Sequence, residues 1–354
     1  MDIHEASRSY EAWLRQQTKV VAADLRLKHE RMRESPFVFL RATFYRWLQH
    51  WPEVCRPVVD APRVLAIGDL HIENFGTWRD AEGRLIWGVN DVDEACTLPY
   101  TQDLVRLASS ALLAIHAGHF DVPRKAACGA ILDGYIASLE EHGRPVVLAE
   151  HRRWLRLIAL NRLRDPVPFW AKLTTLRGPA ADAPGDVLRR ALPEGARLHR
   201  ITRRIAGVGS LGRPRFVAIA EWKGSLVARE AKAFVPSAYW WHTGRRPARG
   251  NDMARLLAQA SRAVDPGFAV RDGWIVRRLA PDCTRVELDT LPIERDELKL
   301  LKMMGWETAN LHVASARDPI LRDLARRPRG WLAESASRMC DAVIRDFRDW
   351  RRNP

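Results

Sequence analysis

The chain reads as an α+β protein of two lobes, a small antiparallel-sheet lobe and a large helical lobe. Residues 201–234 are strand-rich, with apolar and β-branched runs separated by glycine turns, whereas the segments on both sides carry helical apolar periodicity. At 354 residues and 47% apolar content there is material for two such units around a sizeable core. A third texture covers residues 62–95, where short apolar runs end in acids, amides and glycines.

In chain order, residues 4–33 form a polar, Arg-rich helical pattern broken at Ser35-Pro36. A second helix runs from 37 to about 50, with Phe37, Phe44 and Trp47 on one side. Residues 64–67 and 85–89 are short apolar runs bounded by turn residues and read as buried strands. Leu104, Leu107, Ala108, Ala111, Leu112 and Ile115 repeat at helical spacing, and helices follow over 124–141 and 147–163. Residues 164–198 carry Pro166, Pro168, Pro179, Pro184 and Pro193 and read as loop-rich. Strands are expected over 201–206, 215–220 and 226–232, then a helix over 251–263 and a hairpin-like stretch over 268–289. A helix from 295, with Leu298, Leu301, Met304 and Leu311 on one face, and a last helix over 331–350 complete the pattern. The expected organisation is 1–198 helical with the acid-bearing loops, 199–290 sheet, and 291–354 helices that complete the helical lobe.

No run of eighteen apolar residues exists, so no membrane span is expected. Five cysteines are scattered and never in Cys-x-x-Cys spacing, which fits a reducing cytoplasm better than a disulfide framework or zinc ribbon. The 57 Lys and Arg exceed the 43 Asp and Glu, a formal charge of +14 that favours anionic partners such as nucleotides or phosphorylated metabolites. The excess is Arg spread through helices, with no basic block or zinc-finger spacing, and this argues against a nucleic-acid partner.

Two places carry chemistry. Gly68-Asp69-Leu70-His71-Ile72-Glu73-Asn74-Phe75-Gly76 follows one strand-like run, and Asn90-Asp91-Val92-Asp93 ends the next. Acids and an amide at strand ends suit a divalent metal and phosphate transfer. Asp69 would take a proton or orient the nucleophile, while Asn74 and Asp91 offer oxygens to Mg²⁺. Asp93 shares a face with Asp91 if that segment is extended and is the reserve ligand. The second place is Gly207-x-Gly209-Ser210-x-Gly212, a spacing that serves both dinucleotide and kinase loops. A dinucleotide loop opens a helix and is followed by an acid about twenty positions on. Here the loop opens into a strand, and the residue twenty positions on is Lys232. Backbone N–H groups covering ATP phosphates and a lysine bridging them is the arrangement this suggests.

These stretches resemble the catalytic loop of aminoglycoside and choline kinases, with Ile67 where that dialect has its first His. As a set they resemble the bacterial family called domain of unknown function 2252, grouped with protein-kinase-like folds. The matching residues include Lys28-x-x-x-Met32, Ser35-Pro36-Phe37-x-Phe39-x-Arg41, the Gly68–Gly76 stretch, Asn90-Asp91-x-Asp93-Glu94-Ala95, Asp103-Leu104-x-Arg106 and Leu311-His312. Gly207 follows Asp69 by 138 positions, whereas in ordinary kinases the glycine loop comes first. The resemblance therefore implies a circularly permuted kinase-like fold, which chain termini at a common surface make physically tolerable. It implies Asp69 as catalytic base, Asn74, Asp91 and Asp93 around Mg²⁺, and Lys232 on the α/β-phosphates under Gly207, Gly209, Ser210 and Gly212. Asp103 is expected to cap a helix or brace a loop. The helix expected after Lys232 offers no Glu to pair with it, so Gln259, Asp252 or Glu230 is the substitute.

The reading that follows is an ATP- and Mg²⁺-dependent phosphotransferase with an unidentified acceptor. A nucleotide-binding pseudokinase or scaffold, an AMP transferase on the same fold, and a metallophosphoesterase remain as alternatives. The last rests on Asp69-x-His71 after a strand, but the chain lacks that class's Gly-Asn-His and Gly-His-x-His stretches. Tyr239-Trp240-Trp241 and Trp154 are candidates for an acceptor pocket or for core packing.

Overall fold

Two interruptions organise the N-terminal third. α1 (Ile3–Gln17) opens with a capping box, in which Asp2 accepts from the Glu5 N–H and Glu5 accepts from the Asp2 N–H. The polar pattern over 4–33 is then broken at 18–21, giving a separate α2 (Ala22–Arg31). Ser35 caps α3 (Pro36–Ala42), with Pro36 in its first turn, and a non-helical Thr43 separates it from α4 (Phe44–Val54). A single turn, α5 (Arg56–Val59), leads to β1 (Arg63–Ala66). The computed structural model describes residues 1–148, 152–160, 165–246, 251–283, 285 and 296–352.

β1 pairs antiparallel with β4 (Cys96–Pro99), and between them lies a hairpin of β2 (Phe75–Arg79) and β3 (Leu85–Val89). α6 (Tyr100–His116) and α7 (Arg124–Glu140) follow. The helix expected over 147–163 begins instead as β5 (Val146–Val147), which pairs with β3, and continues as α8 (Arg153–Leu160); residues 161–163 lie outside those described.

The stretch expected to be loop-rich holds two helices, α9 (Pro166–Thr175) and α10 (Gly185–Ala191). Pro166 sits at the first helical position and Pro184 just before the first, where a missing N–H costs nothing. Next comes a five-stranded sheet in the order β6-β7-β8-β10-β9, all neighbours antiparallel. Its strands are β6 (Arg197–Arg203), β7 (Arg215–Trp222), β8 (Ser225–Ala233), β9 (Ala269–Arg271) and β10 (Trp274–Leu279). α11 (Ala238–Thr243) and α12 (Asp252–Gln259) interrupt it after β8. Of the hairpin-like stretch expected over 268–289, residues 284 and 286–289 lie outside those described, as does residue 295.

Strand alternation gives the sheet two covered faces. Phe216, Ala218, Ala231 and Val276 pack with Val187 and Leu188 of α10 on one side. Val217, Ile219, Ala228 and Leu279 pack with Leu173 of α9 on the other. So α9 and α10, although they precede residue 198, belong to the sheet. The large apolar core joins both ends of the chain: it runs from Ile3 to Leu155 and resumes from Leu300 to Trp350, in α13 (Glu297–Leu324) and α14 (Trp331–Arg352), and takes in Val208, Ala238, Met253, Leu256 and Ile275 from the segment between. α13 kinks at Ala316, three residues before Pro319, whose ring and missing N–H disrupt the preceding turn. Among the described residues no helix is long and apolar enough to cross a membrane.

The tightest contact in the helical body is between α7 and α13. A Cβ built on Gly134 would lie 1.8 Å from the Lys302 carbonyl oxygen, and one on Gly305 would lie 1.9 Å from that of Ile131. Two backbones therefore meet where two glycines face them. Gly→Ala inside a helix ordinarily gains about 1 kcal/mol. At Gly134 or Gly305 we predict the opposite sign, a loss of about 1–3 kcal/mol from overpacking, read as a lower denaturation midpoint for Gly134→Ala or Gly305→Ala. Unchanged midpoints would show that the helices can part at no cost.

Candidate functional site

The loop carrying Asp69 is held from below by α6. Asp103 is fully buried, and its carboxylate accepts from the N–H of Ile67 (2.7 Å) and of Gly68 (2.9 Å). His312 of α13 places Nε2 2.9 Å from the same carboxylate and Nδ1 2.9 Å from the Tyr135 hydroxyl. Asp103 is thus the loop brace the sequence suggested. Gly68 has φ +83°, and a Cβ there would fall 2.5 Å from the Glu94 carbonyl oxygen, so the position needs glycine twice over.

Asp69 Oδ1 accepts from Arg106 Nε at 2.9 Å and also from its terminal nitrogen. Arg106 is fully buried, donates to the Leu40 carbonyl, and lies over the Trp47 and Phe44 rings at 4.9 and 5.1 Å. Burial raises the Asp69 pKa above its ordinary value, with Arg106 opposing. The second oxygen, Oδ2, faces the glycine loop: a Cβ on Gly209 would sit 3.4 Å from it.

The rest of the loop folds on itself. His71 Nδ1 accepts from the Glu73 N–H, and burial followed by Arg41 and Arg106 pushes its pKa well down, so the ring is neutral. Glu73 pairs with Arg41 of α3 at 2.6 Å. Asn74 donates through Nδ2 to the Asp69 carbonyl, and its Oδ1 makes no hydrogen bond among the described residues. The β2–β3 register then brings the two motifs together: Phe75 pairs with Val89, and the Asn90 N–H donates to the Asn74 carbonyl at 2.9 Å. Asn74 and Asp91 become neighbours although sixteen residues of hairpin and flanks separate them.

Lys232 enters from β8. It is 3% exposed, forms an ion pair with Asp93, and lies 3.7 Å from Asp91 Oδ1. Residues 90–93 are a loop rather than a strand, with the Asp93 N–H turned to Asp91 Oδ1 at 3.4 Å. Burial would raise both carboxyls. Lys232, a hydrogen bond from Asp93, Arg277 and Arg215 nonetheless hold Asp91 low, while burial and the Asp91 charge raise Asp93. The lysine's partner is therefore neither Gln259, Asp252 nor Glu230. Asp252 pairs with Arg255 on its own helix, and Glu230, fully buried, is ringed by Arg204, Arg215 and Arg277. One face of the sheet thus changes along its strands from apolar under α9 to charged over the loops.

The glycine loop connects β6 to β7. Gly207 and Gly212 have φ +75° and +100°; a Cβ on Gly212 would lie 2.6 Å from Leu25 of α2, and the Gly212 carbonyl accepts from the Val21 N–H. Ser210 Oγ accepts from Arg215 at 2.7 Å. The N–H groups of Val208 and Gly209 donate to nothing among the described residues. Arg213 pairs with Glu94 at 2.8 Å, and Glu94 also accepts from the Ala238 N–H that opens α11. Sequence reasoning missed Arg106, Arg213 and the Glu230 cluster. Arg106 and Glu94 stood inside quoted motifs, and only their partners, distant in the chain, reveal their work.

Asp69, Asn74, Asp91, Asp93, Gly207, Gly209 and Ser210 line one cleft with Lys28, Arg41, Tyr45 and Arg213. Gly212 and Lys232 support its walls. Trp241 stays outside, edge-on to Tyr10 and Tyr45, and backs the wall instead of lining it. Trp154 also lies outside, packed against the large core. Among the described residues no group of three or more His, Cys, Asp or Glu is arranged to hold a metal alone.

Residues 19–164 and 185–353 match the family described as uncharacterized protein conserved in bacteria (DUF2252). The chain belongs to this family. No curated protein and no solved structure matches the chain. The matched spans hold every cleft residue named above, so the paired loops and the glycine loop belong to the DUF2252 region itself.

Glu307 on α13 supports β3 from behind. It is 1% exposed, accepts from Asn310 Nδ2 at 2.8 Å and from the Val89 N–H at 3.4 Å, and fills the space a Cβ on Gly88 would need. Burial pushes its pKa up to about 7 from an ordinary 4.5. The folded state holds this proton more tightly than the unfolded chain does. Its contribution to stability is complete below about 4.5 and is lost as pH rises through about 7. We predict that Glu307→Gln flattens this decline, gaining stability relative to wild type at pH 8 compared with pH 5. Equal wild-type and variant slopes in denaturant titrations at the two pH values would refute it.

Proposed function

We propose that this DUF2252 protein is an ATP- and Mg²⁺-dependent phosphotransferase with a circularly permuted, kinase-like arrangement. The observation that carries the reading is the convergence of Asp69, Asn74, Asp91 and Asp93 with a glycine loop and Lys232 supplied from the middle of the chain. A shared core from both chain ends, with the sheet between them in sequence, supports the permutation.

The donor set fits the group. Asp91, Asp93 and Asn74 Oδ1 are hard oxygens, fewer than a closed protein cage requires, which suits a Mg²⁺ that keeps waters and phosphate oxygens as its other ligands. Bound Mg²⁺·ATP would supply the phosphoryl group and neutralise charge on it. The chain's own residues do the rest. Val208 and Gly209 present N–H groups that have no partner among the described residues, and Lys232 with Arg277 and Arg215 makes the sheet side cationic. Asp69 keeps Oδ1 fixed by Arg106 and turns Oδ2 to the cleft, as a base that receives an acceptor's proton must. Its raised pKa brings it nearer the working range of such a base. The cavity measures about 60 Å³, room for a few waters, so nucleotide entry requires the glycine loop to lift from α2 and α3.

Millimolar ATP with Mg²⁺ is expected to raise the melting temperature, because a ligand of the native state stabilises it by mass action. No shift in a folded sample would sink the reading. Turnover followed with label in either the α- or the γ-phosphate then separates phosphate transfer from AMP transfer, and both from a binding-only scaffold.

Asp69→Asn should lower turnover by about 10²–10⁴-fold while nucleotide still raises the melting temperature. Asp91→Asn should instead abolish the Mg²⁺-dependent part of that shift. Wild-type behaviour in both variants would mean the chemistry lies elsewhere.

A further inference from the structure

Lys28 is a basic side chain of the cleft that the proposed chemistry leaves unused. It stands on α2, is 5% exposed, and lines the cleft beside Asp69 and the glycine loop. Its Nζ makes a single hydrogen bond among the described residues, a long one of 3.4 Å to the Gly209 carbonyl. Tyr10 and Tyr45 present their rings to it at 5.9 and 5.7 Å. No carboxylate of the described residues comes within salt-bridge distance, whereas Arg41 is engaged by Glu73 and Arg213 by Glu94. An ammonium has three donors. Burying it with one weak bond is costly, and burial accordingly draws its pKa down to about 8.

The position matters as much as the chemistry. Gly209 touches both groups: its carbonyl takes the Lys28 bond, and its Cα faces Asp69 Oδ2. Lys28 therefore shares the Gly209 turn with the oxygen assigned to the acceptor's proton, on the Asp69 side of the cleft, while Lys232 lies with Asp91 and Asp93. The neighbouring wall is Tyr10, Phe44 and Tyr45, which can carry apolar contact but no charge at neutral pH.

We propose that Lys28 anchors an oxyanion of the acceptor, so that the acceptor is an anionic compound, carrying a carboxylate or a phosphate beside its reacting group. This rests on the phosphotransferase reading for the word acceptor, but the anion site itself does not. A cationic acceptor of the choline or aminoglycoside type would meet this ammonium head-on.

The test uses the full chain with inorganic phosphate and, separately, malonate as probes, titrated calorimetrically with and without saturating Mg²⁺ and a non-hydrolysable ATP analogue. Lys28→Gln removes the charge while keeping a donor for the Gly209 carbonyl, and Lys28→Met removes both. Binding of either probe that persists beside the analogue and weakens about tenfold or more in both variants is the expected result. Whichever probe binds tells phosphate from carboxylate. Probe binding unchanged in Lys28→Gln, or no probe binding in wild type, overturns the proposal whatever the nucleotide does. Should the analogue fail to bind while Lys28-dependent phosphate binding remains, the anion anchor stands and the phosphotransferase reading falls. If neither variant folds, wild type labelled at its eight lysines decides. The Lys28 Cε resonance must move on probe addition, and a stationary resonance refutes the anchor.

Discussion

A buried carboxylate at the start of α6 is the interaction on which the rest of this molecule depends. Asp103 takes two N–H groups from residues 67 and 68 and meets His312 from the far end of the chain. Backbone N–H groups in a dry interior must be satisfied, and here one side chain satisfies two of them just where the chain leaves β1 and turns sharply at Gly68. Without that acceptor the strand end could not stay buried while presenting Asp69. The same carboxylate joins the early loops to α13, so the loop and the helical body share one anchor.

Above this anchor the charges are arranged in closed sets. Asp69 with Arg106, Glu73 with Arg41, Glu94 with Arg213, and Glu230 with three arginines each bury an acid against guanidinium. Planar guanidinium groups suit such pairs because they satisfy carboxylates with several donors at once and are weakly hydrated. The chain's arginine-rich composition, which as a bare count suggested only anionic partners, is thus partly internal wiring. Two basic groups differ. Lys232 is held by Asp93, and Lys28 by a single long hydrogen bond among the described residues.

The acid-bearing loops and the glycine loop were legible in the sequence because each packs its chemistry into a few adjacent residues. Asp103 was legible as a brace for the same reason. Long-range pairings were not: nothing near Arg106 marks it as the partner of Asp69 37 positions away. Helices α9 and α10 were hidden by prolines, which read as breakers although at a first turn they start helices. The polar stretch before Ser35 concealed a break at 18–21, and there the glycine loop seats itself through Val21. The second and third strands of the sheet lie where apolar runs predicted them, but the first begins at Arg197, ahead of the expected 201, and the covering helices lie earlier still in the chain.

The Lys232 ion pair has a thermodynamic consequence. Its ammonium already occupies the oxygens of Asp93 and approaches those of Asp91. If these acids hold Mg²⁺ as proposed, the cation would have to compete with the ammonium, and the affinity of the acids alone would be weakened by the strength of the pair. An anion that drew the lysine away would relieve that competition, and by reciprocity a metal on the acids would release the lysine for an anion. Metal and anion would bind with positive cooperativity generated by three side chains, with no subunit rotation or helix shift to carry the coupling.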